Sequence, residues 1–331
     1  MNLPLLSIVI VSFNTRDLLG RCLASVVHSP YHLLVASILD EEPTLEVAPA
    51  GYAVEGKMSC EVIVVDNASL DGSAKMVLNE YPGVRVLDAG ENLGFARATN
   101  WGLREARGDL LLLLNPDTEV VGDSLAQLAG FLLKGGPQLA AVSPALLYPD
   151  GRAQHAAFRF PTLWMSLFDF FPLHHRVVDS RLNGRYQVPG DGRPFPIDHP
   201  LGAAMMIRRD ALDVVGLLDE EFFMYCEEVD WCLRAARAGW SIYQLPTAKI
   251  VHHGGQSSGQ LREAMLVELH RSRYRLFRKH YSPAFVRTHR AITRLGLARE
   301  WLRAKRRGWR GLMSQDELGR RLAAYRTIWS M

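Results

Sequence analysis

Glu61-Val62-Ile63-Val64-Val65-Asp66-Asn67-Ala68-Ser69-Leu70-Asp71-Gly72-Ser73 is an apolar run that stops at a carboxylate and passes into a polar stretch punctuated by glycine. The β-branched part, Glu61 to Val65, reads as a buried strand ended by Asp66-Asn67, and the periodicity after it predicts a helix from about Leu70 to Tyr81. The same unit recurs on both sides. Upstream, Ser7 to Phe13 is a strand closed by Asn14. Thr15 to about His28 then puts Leu18, Leu19, Cys22, Leu23, Val26 and Val27 on one helical face. Downstream, Val84 to Leu87 is a strand, and Leu93 to Ala106 a helix with Asn92 as its N-cap. Leu110 to Leu114 is a strand of five leucines ended by Asn115-Pro116-Asp117. Strands alternating with helices specify an α/β fold, a mainly parallel sheet flanked by helices on both faces. Ligands of such sheets bind beyond the carboxyl ends of the strands. Asn14, Asp66 and Asn115 stand at that edge.

The rhythm breaks at 29–60, an acidic, Pro- and Gly-containing insertion without a clear period. Tyr148-Pro149-Asp150-Gly151 is a hairpin turn. Residues 158–199 are irregular and rich in aromatics and proline, the composition of a binding loop. After Gly254-Gly255 the pattern is helical to the end. With 22% charged and 48% hydrophobic residues, the 331-residue chain is globular. Its net charge of +3 conceals an asymmetry. Residues 1–261 carry 20 Lys/Arg against 30 Asp/Glu, and residues 262–331 carry 18 against 5. No basic residue precedes the first apolar run and no small-residue cleavage site follows it, so no secretory leader is expected. No apolar run is long enough to span a bilayer. Cys22, Cys60, Cys226 and Cys232 form no C-x-x-C pair. They are expected to be inert core thiols of a cytoplasmic protein.

The chemistry-bearing residues are carboxylates on distant loops, together with I-V-H-H-G-G at 250–255. Taken singly, Asp66-Asn67 also reads as a strand-end turn, Glu227 to Asp230 as a solvated first helical turn, and His252 as a core histidine. Together they fall into an ordered set. S-I-V-I-V-S-F-N (7–14), V-V-D-N-A-S-L-D-G-S (64–73), E-N-L-G-F-A-R-A-T-N-W-G (91–102) and L-N-P-D-T-E (114–119) come first. L-G-A-A-M-M-I-R-R-D-A-L (201–212) and the stretch from Gly216 to Gly239, with F-F-M-Y-C-E-E-V-D-W-C-L-R, follow.

This set resembles the inverting glycosyltransferase family 2, in its rhamnosyltransferase-like branch, over residues 5 to about 258. The resemblance implies a GT-A fold, a nucleotide-sugar donor linked to dTDP or UDP, and a divalent cation, Mn or Mg. A hard cation held by a few oxygens would neutralise the departing diphosphate. Asp117 takes the last position of the family's D-x-D motif and is the implied acidic metal ligand. Asn115 replaces the first aspartate. His252 fits the late histidine that completes the metal or diphosphate site, and an imidazole there favours manganese.

The general base that inversion requires is implied at Glu228, second of the pair Glu227-Glu228. It is one methylene longer than the family's aspartate, so the acceptor would sit further back. Asp230 is the second candidate base, although Arg234 at i+4 suits an ion pair with it. Asp66 resembles the aspartate that accepts the pyrimidine N–H, with Asn67 beside it. Asn14 lines the nucleoside, and Asn92, Gly94 and Arg97 lie over the nucleotide at a helix N-terminus suited to phosphate. Gly202 and Ala203 resemble the small pair near the acceptor, on the side of Glu227.

The implied activity is transfer of a sugar such as rhamnose to a glycan or polyprenyl-linked acceptor in cell-surface polysaccharide synthesis. Two other classes are weighed. A sugar-nucleotide-binding scaffold without catalysis rests only on the Asn115 and Glu228 departures. A nucleotidyltransferase would need a basic Gly-rich loop after the first strand, which S-F-N-T-R-D lacks. Residues 1–258 would be the catalytic domain and 259–331 a basic helical extension. Within the extension, Phe285, Ile292 and Leu295 are expected on one helical side, with Arg287, Arg290 and Arg294 on the other, and Gly296 as a break. Arginine interleaved with Trp301 and Trp309 suits an anionic membrane surface. Packing on the acidic body or on a second subunit is the alternative. No nucleic-acid-binding motif accompanies the charge.

Overall fold

The computed structural model describes residues 6–27, 60–171, 177, 180–254 and 262–331. Apart from Cys60, the insertion at 29–60 lies outside the described residues. Strands β1 (Leu6–Ser12), β2 (Cys60–Asp66), β3 (Arg85–Asp88) and β4 (Leu110–Leu114) lie in the order β3-β2-β1-β4, all parallel. Helices α1 (Arg16–Val27), α2 (Ser73–Glu80) and α3 (Phe95–Glu105) alternate with them. Every residue of β1 and β4 is buried. Leu6, Ile8 and Ile10 pack with Leu19, Met76 and Leu128 on one face, while Val9 and Val11 pack with Leu103 and Trp231 on the other. Burial on both faces is why these strands read as continuous apolar runs rather than alternating ones.

The chain continues through β5 (Thr118–Val121), α4 (Ser124–Lys134), β6 (Leu139–Leu147), β7 (Ala153–Gln154), β8 (Ala157–Phe158) and α5 (Leu163–Phe170). Next come β9 (Phe195–Ile197), β10 (His199–Pro200), β11 (Ala204–Arg208), α6 (Arg209–Val215), α7 (Glu227–Arg237) and β12 (Ser241–His252). Beyond β4 the sheet runs β11-β6-β12-β5. This half is mixed: β11 is antiparallel to β4 and β6, and β12 is parallel to β6 and antiparallel to β5. The turn at Tyr148 to Gly151 forms as expected. Gly151, at φ 83°, donates its N–H to Tyr148 O at 2.8 Å, and β7 folds back on β6.

Helices α8 (Arg262–His280), α9 (Pro283–Trp309) and α10 (Gln315–Trp329) end the chain. They pack on the rest of the molecule. Arg273 pairs with Asp169 at 2.5 Å, Arg275 with Glu221 at 3.3 Å and Lys279 with Asp219 at 2.6 Å, so α8 sets cations against the acidic body. In α9, Phe285 and Ile292 join packed apolar clusters, but Leu295 is 66% exposed, which corrects the expected common face. Gly296 does not break the helix. A Cβ there would lie 2.0 Å from the Phe170 ring, so the glycine lets α9 ride against α5. All four cysteines are buried and free. Burial pushes the Cys22 thiol up to about 12 and raises the others as well, so none is a nucleophile near neutral pH. No helix among the described residues is long and apolar enough to cross a membrane.

Candidate active site

The carboxyl edge of the parallel strands gathers the first group. Asp66 ends β2 opposite Ser12 of β1, and it is buried. Its Oδ2 accepts the Ser69 N–H at 3.1 Å. Its Oδ1 is buried with no partner. A buried acceptor left over in this way calls for a donor from a bound molecule. Asn14 adopts a left-handed conformation (φ 51°) that turns its side chain toward the same loop. Asn14 Oδ1 accepts the Leu70 N–H at 2.7 Å, and Asn14 N–H donates to Ser69 Oγ at 3.0 Å. Ser69, which sequence reasoning passed over, thus joins Asn14 to Asp66.

Asn67 and Asn92 have different work from that expected. Asn67 Nδ2 donates to Asn92 Oδ1 at 3.0 Å and to Gly94 O at 3.3 Å, and its Oδ1 accepts the Leu93 N–H at 2.8 Å. Asn67 holds the 92–94 loop from below. Asn92 is not the N-cap, because α3 starts at Phe95 with Gly94 before it. Asn92 Oδ1 instead accepts the Gly94 N–H at 3.0 Å, and Phe95 N–H donates to Phe223 O at 2.6 Å. The Leu93, Gly94 and Phe95 amides ahead of α3 are therefore bonded within the protein. Gly94 sits at φ 79°, and a Cβ on it would lie 2.5 Å from Phe223 O, so only glycine fits. Arg97 is exposed on α3.

The second group surrounds Asp117. Its buried carboxylate lies 3.5 Å from His252 Nε2, at the end of β12. His252 Nδ1 is 2.9 Å from Gln154 Oε1 in β7. With the amide in that orientation, Nδ1 carries the proton and Nε2 turns a lone pair toward the carboxylate. Two lone-pair donors facing each other across 3.5 Å fit a cation that they share. Among the described residues no cluster of three or more His, Cys, Asp or Glu is arranged for a metal, so the remaining ligands would have to come from diphosphate and water. Sequence reasoning missed Gln154, which only the hairpin return brings under His252. The neighbouring His253 Nε2 is engaged by Glu119 Oε1 at 2.7 Å.

The third group opens α7. Tyr225 and Cys226 both have positive φ (69° and 67°), strained for non-glycine residues, and they swing Glu227 and Glu228 into the interior. Oε2 of each is buried without a partner. Burial pushes the Glu228 carboxyl up to about 7, against backbone hydrogen bonds that lower it. Burial, and then the Glu228 charge, raise Glu227 well above the usual carboxylate range. A Cβ on Gly202 would lie 3.4 Å from Glu228 Cδ, so the glycine keeps the carboxylate's flank clear. The buried Ala203 accepts the Asn115 N–H on its carbonyl at 2.9 Å. Gly202-Ala203 thereby couples Glu228 to the loop that carries Asn115 and Asp117.

Asp230, the second candidate base, is held in a cage of donors. It is fully buried, with Arg234 Nε at 2.8 Å, Lys279 Nζ at 2.7 Å and His280 Nε2 at 2.6 Å. Arg237 donates to His280 Nδ1 at 2.7 Å, so the imidazole is neutral and gives its one N–H to Asp230. Burial by itself would raise the Asp230 carboxyl. Hydrogen bonds from Lys279, His280 and Arg234 outweigh it and hold the group below its ordinary range. Asp230 joins α7 to α8 and has no face left for a substrate proton.

A mixed sheet with polar side chains gathered at the carboxyl edge of its parallel half and carboxylates on the loops beyond it is the GT-A arrangement of sugar-nucleotide transferases. Residues 7–216 match the family described as Glycosyl transferase family 2, and the chain belongs to it. It is 29% identical over 257 residues, 73% of this chain and 82% of the relative, to an N-acetylglucosaminyl-diphospho-decaprenol L-rhamnosyltransferase of Mycobacterium tuberculosis. It is 22% identical over 228 residues, 68% of this chain and 70% of the relative, to the dTDP-rhamnosyl transferase RfbF of Shigella flexneri. Both relatives are rhamnosyltransferases by name. A mannosyltransferase of Pyrobaculum calidifontis, solved with GDP-Man and Mn2+, shares the fold, with a TM-score of 0.54 over 100% of this chain and 84% of its own at 16% identity.

Proposed function

We propose that this glycosyltransferase moves a sugar, rhamnose, with inversion from a dTDP- or UDP-linked donor to a hydroxyl of a glycan or polyprenyl-linked acceptor. The product would be part of a cell-surface polysaccharide made on the cytoplasmic side of a membrane. One observation carries the reading: Oε2 of Glu228, buried and without a partner, stands beside Gly202, which the Ala203–Asn115 hydrogen bond ties to the Asp117–His252 pair. Glu228 accepts the acceptor hydroxyl's proton as that oxygen attacks the anomeric carbon. The bond from that carbon to the diphosphate breaks on the opposite face, and its electron pair leaves with the nucleoside diphosphate. A carboxyl raised toward neutrality is basic enough for this and still ionised in useful proportion. Asp117 and His252 would hold a divalent cation, Mn or Mg, which would neutralise charge on the departing diphosphate. Asp66 Oδ1 would accept the imide N–H of uracil or thymine, and a carboxylate there does not read the ring methyl. The rhamnose assignment and the lipid-linked acceptor rest on the names of the relatives.

The test is release of dTDP from dTDP-rhamnose, and of UDP from UDP-sugars, with Mn2+, with and without a polyprenyl-diphosphate glycan. Acceptor-dependent release with an inverted anomeric product is expected. Metal-dependent thermal stabilisation by nucleotide, without turnover on any donor, would favour the non-catalytic scaffold.

A further inference from the structure

The outward face of α9 has a composition that neither catalysis nor folding explains. The helix packs inward through His289, Thr293, Gly296, Leu297, Ala304 and Gly308. Leu295, Leu302 and Trp309 recur at every seventh position, roughly 140–180° around the helix from Ala304. They are 66%, 54% and 90% exposed. Leu312, in the turn just past the helix, is 65% exposed as well. A folded protein gains nothing by holding a tryptophan and two leucines in water along one line.

Cations flank the ridge. Arg306 and Arg310 are exposed on one side and make no ion pair among the described residues. On the other side Lys305 holds its ammonium 3.9 Å from the Trp301 ring centroid, a contact that leaves its charge facing out. This differs from Arg273 and Lys279 of α8, which are bonded to Asp169, Asp219 and Asp230. Lys305, Arg306 and Arg310 are thus cations that no carboxylate among the described residues neutralises, and they border the apolar ridge.

We propose that this face, with Leu295, Leu302 and Trp309 as the apolar ridge and Lys305, Arg306 and Arg310 beside it, lies on an anionic bilayer surface. An indole settles at headgroup depth, leucines enter the acyl boundary, and guanidinium groups remain among anionic headgroups. A nucleic acid would match the cations but not the ridge, and a second copy of this chain would bring like charge against like. The inference rests on the membrane part of the proposed function and not on its chemistry.

The experiment is sedimentation of the full chain with phosphatidylcholine vesicles, with and without about a third phosphatidylglycerol. It is run for the wild type, Leu302→Gln/Trp309→Gln and Arg306→Gln/Arg310→Gln. The wild type should bind the anionic vesicles, and bind them less as salt rises. Each double variant should lose roughly 30-fold in partitioning, the first through lost apolar insertion and the second through two lost cations. These sites are exposed, so circular dichroism and thermal midpoint should not change. Turnover with a water-soluble acceptor analogue should stay within about twofold of the wild type. Wild-type partitioning by either variant, equal binding to neutral vesicles, or a wild-type dimer that Trp309→Gln dissociates without any vesicle binding would overturn the proposal. Vesicle binding in the expected pattern by a chain that shows no transfer would uphold the docking face and remove the transferase reading instead.

Discussion

Glu228 and Asp230 stand two residues apart in the first turn of one helix, and their surroundings have opposite consequences. Asp230 is fully buried, and Arg234, Lys279 and a neutral His280 bond to it. Glu228 keeps one carboxylate oxygen buried and unpartnered, beside a glycine. Burial acts on both groups in the same direction. The donors decide the outcome, depressing Asp230 and leaving Glu228 raised to about 7. A carboxylate that the protein satisfies fastens α7 to α8. A carboxylate that the protein leaves unsatisfied is available to a substrate proton.

The largest effect that could break this contrast is at Glu228. Glu228→Gln should lower kcat by about 10³-fold, within the range of a lost general base, and leave the donor KM within about twofold. A loss in KM alone would make Glu228 a binding group. Asp230→Ala should act on stability instead. It removes the shared partner of Arg234 and Lys279 and should cost about 3–5 kcal/mol, read as a lower denaturant midpoint. Protein that remains folded should keep most of its kcat.

A smaller effect is expected at Gln154. Gln154→Ala frees the His252 imidazole to reorient and should weaken Mn2+ activation by about 10- to 100-fold, read as a shift in the Mn2+ concentration for half-maximal turnover. Saturating Mn2+ should restore most of the rate. The smallest effect concerns stability against pH. A carboxyl raised in the folded state costs nothing below its unfolded value, costs progressively more stability as pH rises from there through its folded value, and costs its full amount above that. Glu228→Gln should therefore raise the thermal midpoint by about 1–3 °C at pH 8 and not at pH 4.

Legibility in the sequence follows the same physics. The parallel half of the sheet was readable because strands buried on both faces are unbroken apolar runs with polar stops, as in Val62 to Asp66 and Leu110 to Asn115. The mixed half was not. Ala204–Arg208 lies inside the L-G-A-A-M-M-I-R-R-D-A-L motif, and Ser241–His252 contains Pro246 and register shifts, so neither announces a strand. The family motifs brought Asp66, Asp117, Glu228 and His252 into view. They did not separate residues that would touch substrate from residues that hold the loop. Asn67 and Asn92 are amides bonded to backbone, and an amide's partner is invisible in one dimension. The cage around Asp230 is hidden for the same reason, since Lys279 and His280 arrive from about fifty residues away. In α9, composition gave the helix and its charge, but the packing of Gly296 on Phe170 decides which side faces out.

The central claim is that Glu228, and not Asp230, takes the proton. It is tested most directly by single-turnover rates between pH 5 and 9 for the wild type, Glu228→Gln and Asp230→Asn with saturating donor and Mn2+. The wild-type rate should rise with pH through about 7 and then level, as the raised Glu228 carboxyl ionises. Asp230→Asn should keep that profile at near wild-type height, and Glu228→Gln should be low and flat. A Glu228→Gln rate that still rises through the same pH range, or an Asp230→Asn rate that loses the rise, would contradict the account.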